Sequence, residues 1–182
     1  MSRGQGQTAG GSAPPINRPQ MARIGKRLRN LSVQFDALDL AINDLGEDRV
    51  AGPEWERAYT SGDPDDVWRT VQPITGGYEH IVQNIIELAK AAGRATGHLQ
   101  GKRPRAEDAI KFLEDVGALS PAQRDLLDEH YVFRGRLSHD SPDITADDMA
   151  LHAERALVEL PPMVKPIRDW LAEQGITFPT TP

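Results

Sequence analysis

The chain has 182 residues, of which 38% are hydrophobic and 26% charged, with a formal net charge of −6 and no cysteine. A chain of this order supports one domain with a real core, since about 150 residues bury roughly 70% of their unfolded surface. The missing cysteine excludes disulfides, thiolate metal sites and cysteine nucleophiles, and the acidic balance argues against wholesale coating of nucleic acid while leaving room for local basic patches.

Aromatic residues make up only 5%, so the core must be mostly Leu, Ile, Val and Ala. No apolar run approaches the ~20 residues that cross a bilayer. The first residues show no apolar leader either, so the expected location is cytoplasmic.

Residues 1–19 are Gly, Ser, Gln and Pro with almost no apolar side chains. Such a stretch buries too little surface to offset its ordering entropy, and it reads as a flexible tail. The domain is expected over 20–176, with 177–182 as a short second tail. Met21, Ile24, Leu28, Leu31, Phe35, Leu38, Ile42 and Leu45 step by three or four, which predicts one helix from Pro19 to Leu45 stopped at Gly46. Its first half carries Arg18, Arg23, Lys26, Arg27 and Arg29. Positive charge there opposes the helix dipole, so the cluster is either a solvated face or a holder of phosphate or of an acidic partner.

Residues 47–63 read as irregular, with a short helix over 53–59. Asp63 then caps a helix with Pro64 at its first position. The short helix through Val67, Trp68 and Val71 is expected to end before Pro73, with Gly76–Gly77 as a joint. A long helix over 78–94 has a wide apolar face (Tyr78, Ile81, Val82, Ile85, Ile86 and Ala89), which makes it a central element.

Residues 97–105 form a basic loop with His98, Lys102, Arg103 and Arg105. A helix over 106–116 ends at Gly117. Ser120 and Pro121 open the next, and Thr145 with Asp148 marks a capping box for the one after. Pro161–Pro162 should kink or restart the chain's last helix. No sustained period of two, hairpin signal or internal repeat is present. The expectation is an all-α bundle of about five main helices.

The stretch 120–144 brings together the most groups capable of chemistry. At about 100° per residue, Leu126, His130, Phe133 and Leu137 form the expected core stripe, with His130 a satisfied core or boundary histidine. Leu127, Tyr131, Arg134 and Ser138 form a second stripe about 100° away, suited to a groove or a subunit interface. Arg136 falls on the other side.

His139 lies at the helix end, where the dipole favours protonated imidazole. A histidine of this kind beside a guanidinium is the minimum for proton transfer near a phosphate. Alternatively, it caps the last carbonyls. His139 is about 140° from Arg134 on a regular helix, so the two converge only if the helix unwinds at Asp140, Ser141 and Pro142 or if a second chain contributes. His80, His98 and His152 lack metal-ligand spacing. No phosphate-loop, dinucleotide or zincin motif is present, and neither a metal nor another cofactor is expected.

The segment FRGRLSHDSPDI, Phe133 to Ile144, resembles the HEPN superfamily of helical bundles, whose ribonucleases carry an R-x4-6-H motif near the end of a long helix. Arg134 and His139 match that spacing, and the resemblance covers mainly residues 78–172. It implies a metal-independent endoribonuclease built as a homodimer with both Arg–His pairs in one cleft. Arg134 would hold the scissile phosphate and His139 would transfer protons at the ribose 2′-hydroxyl. Arg136, Ser138 and Tyr131 would be the substrate contacts.

Toxin–antitoxin or phage-defence settings are common in the family, so an antitoxin or regulatory protein is an expected partner beside RNA, and a membrane is not. The family's nucleases usually place a polar residue, often Asn, directly after the Arg, where this chain has Gly135. Members without nuclease activity act as binding or dimerisation modules, which is the second reading here: a non-catalytic module with its interface on the 120–139 helix.

Overall fold

The computed structural model describes residues 18–46, 49–100, 103–139 and 143–176. The two expected tails (apart from Arg18 and Pro19), Lys102 of the basic loop, and the Asp140, Ser141 and Pro142 breaker lie outside the described residues. The elements are α1 (Arg18–Asn43), a 3-10 turn (Arg49–Ala51), α2 (Pro53–Ser61), the single turn α3 (Pro64–Asp66), α4 (Gln72–Ala95), α5 (Ala106–Asp115), α6 (Pro121–Leu137), α7 (Ala146–Glu159) and α8 (Pro161–Glu173). The fold is an all-α bundle with six helices of ten residues or more, and no strand occurs among the described residues. None of these helices is long and apolar enough to cross a membrane.

Helix starts follow their caps. Ser120 Oγ accepts from Gln123 N at 3.3 Å, and Gln123 Oε1 accepts from Ser120 N at 3.1 Å. Thr145 and Asp148 make the same reciprocal pair at 3.1 and 3.0 Å. Each box satisfies two donors that the first helical turn leaves without partners. Asp63 Oδ1 accepts from Asp65 N at 2.8 Å, with Pro64 next to it at the first helical position.

The expected break before Pro73 and the joint at Gly76–Gly77 do not occur. From Pro64 to Ala95 the chain stays helical, because one π turn over Val67–Val71 carries it past the proline. The N–H of Gln72 bonds to Val67 O, five residues back. Pro73 then follows directly on the π turn, whose shifted hydrogen-bond register accommodates a residue without an N–H inside the continuous helix. The glycines lie inside α4, with Gly77 on the side that faces Leu38 of α1, where a Cβ would stand 3.4 Å from Leu38 Cδ1.

Helix α4 is the centre of the bundle, with 13 of its 24 residues buried, and it packs against α1, α5, α6 and α7. Helix α1 runs antiparallel along it, with Arg27 beside Asn84 and Leu38 beside Gly77. Trp55 of α2 donates from Nε1 to Ala146 O at 2.9 Å. That bond ties α2 to the first residue of α7 and positions the end of the loop that follows α6.

Candidate functional site

Helix α6 presents the expected stripe to the core at His130 and Phe133, but its buried face is shifted and widened to take in Leu127. Leu127 and His130 are 0% exposed and Phe133 is 3% exposed, while Leu126 and Leu137 pack only at the rim. Leu127 is therefore core rather than interface, because α6 is covered by α4, α5 and α7 together and its buried face is wider than one stripe. Tyr131 is half-buried against the same core.

The core-facing side of α6 carries a polar chain spanning three helices. Tyr78 Oη, from α4, lies 3.0 Å from His130 O and 3.1 Å from His130 Nδ1. His130 Nε2 lies 3.0 Å from Glu159 Oε2 on α7. Arg155 donates from Nε to Glu159 at 2.9 Å and from both Nη atoms to Glu129 at 2.6 and 2.9 Å. The arrangement fits a neutral imidazole with its proton on Nε2, donating to the Glu159 carboxylate, and with the one Tyr78 hydroxyl proton shared between His130 O and Nδ1.

Burial holds His130 below its ordinary pKa, against the opposing pull of Glu159. Burial likewise pushes the Tyr78 hydroxyl well above its usual value, so it stays protonated. Against desolvation, Arg155 and His130 keep the Glu159 carboxyl below its ordinary range. His152 stacks on Phe133 at 3.6 Å between centroids, and its Nδ1 is buried without a partner among the described residues. Its pKa is also lowered, first by burial and then by His130.

The C-terminal end of α6 is arranged differently. Winding continues past Leu137: Ser138 N bonds to Arg134 O at 2.9 Å, and His139 N to Arg136 O at 3.2 Å. The helix thus ends in a tight turn through Ser138 and His139, and no hydrogen bond joins the Arg134 and His139 side chains among the described residues. His139 is exposed. Ser138 Oγ donates to Glu79 of α4. Arg136 pairs with Asp143 at 2.9 Å and leans over the Phe133 ring at 5.9 Å.

Arg134 is half-buried, and its Nε is buried with no hydrogen-bond partner among the described residues. The other two arginines of α6 are both paired, Arg124 with Glu114 and Asp125 and Arg136 with Asp143. Among the described residues Arg134 alone of the three has no carboxylate, which leaves its charge available to an anion.

Of the expected site residues, Arg134, Arg136, Ser138 and His139 lie together within the last turn of α6 and just past it, and Tyr131 is one turn before Arg134. Glu79, which receives Ser138, carried no signal, because it comes from a helix 59 residues away. Arg155 and Glu159 are legible as a helical pair four residues apart. Their link to His130 appears only once α6 and α7 are packed. Comparison of the chain with protein-family models and with curated proteins finds no match.

Proposed function

We propose that this is a HEPN-like helical protein that acts on or binds RNA at the C-terminal end of α6, as a homodimer whose two copies bring their Arg134 and His139 into one cleft. The observation that carries the reading is the half-buried Arg134 guanidinium, without a partner among the described residues, five positions before an exposed histidine. A cation held partly out of water without a carboxylate attracts an anion more strongly than an exposed one does. In this reading Arg134 binds the phosphodiester. His139 takes the 2′-hydroxyl proton while the 2′-oxygen attacks phosphorus, the P–O5′ bond breaks, and the proton passes to the leaving oxygen. Arg136, Ser138 and Tyr131 line the approach. The chemistry needs no metal, and a protein antitoxin would act by covering this helix end.

The second reading, a non-catalytic binding module, is favoured by one feature. Within a single chain the backbone does not unwind before His139, and no hydrogen bond brings Arg134 and His139 together among the described residues. The test is cleavage and binding of a labelled single-stranded RNA by purified protein, with Arg134→Ala and His139→Ala alongside. Loss of cleavage in both variants, by about 100-fold or more, fits removal of a phosphate contact and of a general acid–base group. If the wild type binds RNA without cutting it and only Arg134→Ala weakens binding, the module reading holds. Cleavage and RNA binding both unchanged in both variants reject the site altogether.

A further inference from the structure

The first half of α1 and the last half of α4 enclose a groove of about 450 Å³. Arg23, Lys26 and Arg27 line it from α1, Lys90 and Arg94 from α4, and Glu87 is its one carboxylate. On a chain of net charge −6 this is a local reversal of sign.

Two of the five cations are held in place. Lys90 Nζ lies 3.1 Å from Glu87 Oε1. Arg27 Nη1 donates to Asn84 Oδ1, and Asn84 is only 5% exposed and in turn donates to Gln34 at 2.6 Å. Asn84 is a neutral acceptor, so it orients the Arg27 guanidinium without cancelling its charge. Arg23, Lys26 and Arg94 are exposed and have no carboxylate partner among the described residues.

Neither wall contributes an aromatic ring, so a nucleobase has no stacking platform there and recognition falls on charge. The volume lies within the range of small-molecule sites. The acidic balance of the whole chain disfavours an extended polyanion but not a compact one.

We propose that the α1–α4 groove binds a compact ligand carrying two or three linked phosphate groups, either free polyphosphate or the phosphate chain of a nucleotide, through Arg23, Lys26, Arg27, Lys90 and Arg94. This site is separate from the end of α6. Glu79, which meets α6, and Lys90 are eleven residues apart on α4, about 16 Å along its axis.

Calorimetric titration of the full chain with tripolyphosphate, ATP, AMP and orthophosphate tests the proposal. Tripolyphosphate and ATP are expected to bind, with AMP and orthophosphate about tenfold weaker or more, since each lost charge-assisted contact is worth roughly a factor of ten. Rising salt should weaken the binding. Equal affinities for ATP and tripolyphosphate would identify the phosphate chain as the whole ligand, while much tighter ATP would assign a nucleotide. Either result sustains the site.

The double variant Lys26→Glu with Arg94→Glu should lower affinity about 100-fold. A charge-matched control, Arg29→Glu with Arg69→Glu, alters exposed positions outside the groove and should change affinity less than about threefold. Thermal melts confirm that both variants fold. Absence of tripolyphosphate binding overturns the proposal, as does equal loss in the control, which would mean a diffuse field. An RNA oligonucleotide that requires the groove residues and that tripolyphosphate does not displace overturns it as well, in favour of a nucleic-acid surface.

Discussion

Two histidines on one helix, His130 and His139, show how differently the two ends of α6 are built. His130 is fully buried, and both its ring nitrogens have partners, the Tyr78 hydroxyl and the Glu159 carboxylate. His139 lies nine residues on, exposed, with no side-chain partner among the described residues. The neighbouring arginines follow the same division. Arg155, beside the buried histidine, is saturated by two carboxylates, whereas Arg134, five residues before the exposed one, has none among the described residues. A polar cluster whose members satisfy one another holds the fold together and has little capacity left for a ligand. The unsatisfied group at the helix end is where binding free energy is still available.

The largest effect should separate these two histidines in stability. His130→Ala removes a buried ring and leaves Tyr78 with only the backbone carbonyl of residue 130 and Glu159 with only Arg155, a loss of about 3 kcal/mol, mostly from the cavity. His139→Ala touches nothing buried and should stay within about 0.5 kcal/mol. Urea denaturation of both variants measures the contrast. Comparable losses would mean that His139 is part of the framework and would remove the ground for treating the helix end as open.

A smaller effect follows from pH. The groups facing His130 are Tyr78, Glu129, His152, Arg155 and Glu159, and their sum, dominated by burial, leaves the imidazole pKa below its ordinary 6.5. His152 is shifted the same way. The unfolded chain therefore takes up protons at both positions before the folded one does. Their contribution is fully present above about pH 6.5 and is lost as pH falls towards the folded values, at no more than about 1.4 kcal/mol per pH unit for each group. Glu159, Glu129 and Asp148, all held below their ordinary values, lose their contributions further down, as pH falls from the ordinary carboxylate values through their lowered ones. Urea midpoints measured from about pH 7.5 to 5.5 should fall with acidity in the wild type and fall less steeply in His130→Gln and His152→Gln. An unchanged slope in both variants would show that other groups set the acid limb.

Most of the helices were legible in the sequence because their ends are chemical. Ser120–Pro121, Thr145 with Asp148, Asp63–Pro64 and Pro161–Pro162 all stand where the pattern places them. What failed was the reading of breakers without their packing. Pro73 is tolerated because a π turn shifts the hydrogen-bond register ahead of it, and Gly77 because Leu38 packs against it.

The phase of α6 misled for a related reason. An apolar stripe marks a core face only where one neighbour covers the helix, and three cover this one, so Leu127 is buried although it lies off the expected stripe. The chemistry of the helix end was legible as a cluster, but its inequality was not. That Arg136 is paired and Arg134 is not depends on where Asp143 falls after the turn, and no spacing rule supplies that.

The smallest expected stability change tests the open end of α6 most directly. Gly135 lies in the last turns of α6, and a Cβ built there meets no atom within 4 Å. The position thus has room for a side chain and is occupied by a poor helix former. Gly135→Asn should stabilise the protein by a few tenths of a kcal/mol, and Gly135→Ala by up to about 1 kcal/mol, on helix propensity alone. Function should separate the two. If the residue after Arg134 helps to organise a phosphate site, the Asn amide adds a donor where Ala adds none. RNA cleavage, or RNA affinity if the chain only binds, should then rise about tenfold in Gly135→Asn and stay near wild type in Gly135→Ala. Equal gains in both would trace the effect to a stiffer helix end. No gain in either, with both variants stabilised as expected, would place Gly135 outside the site and leave Arg134 to act without its neighbour.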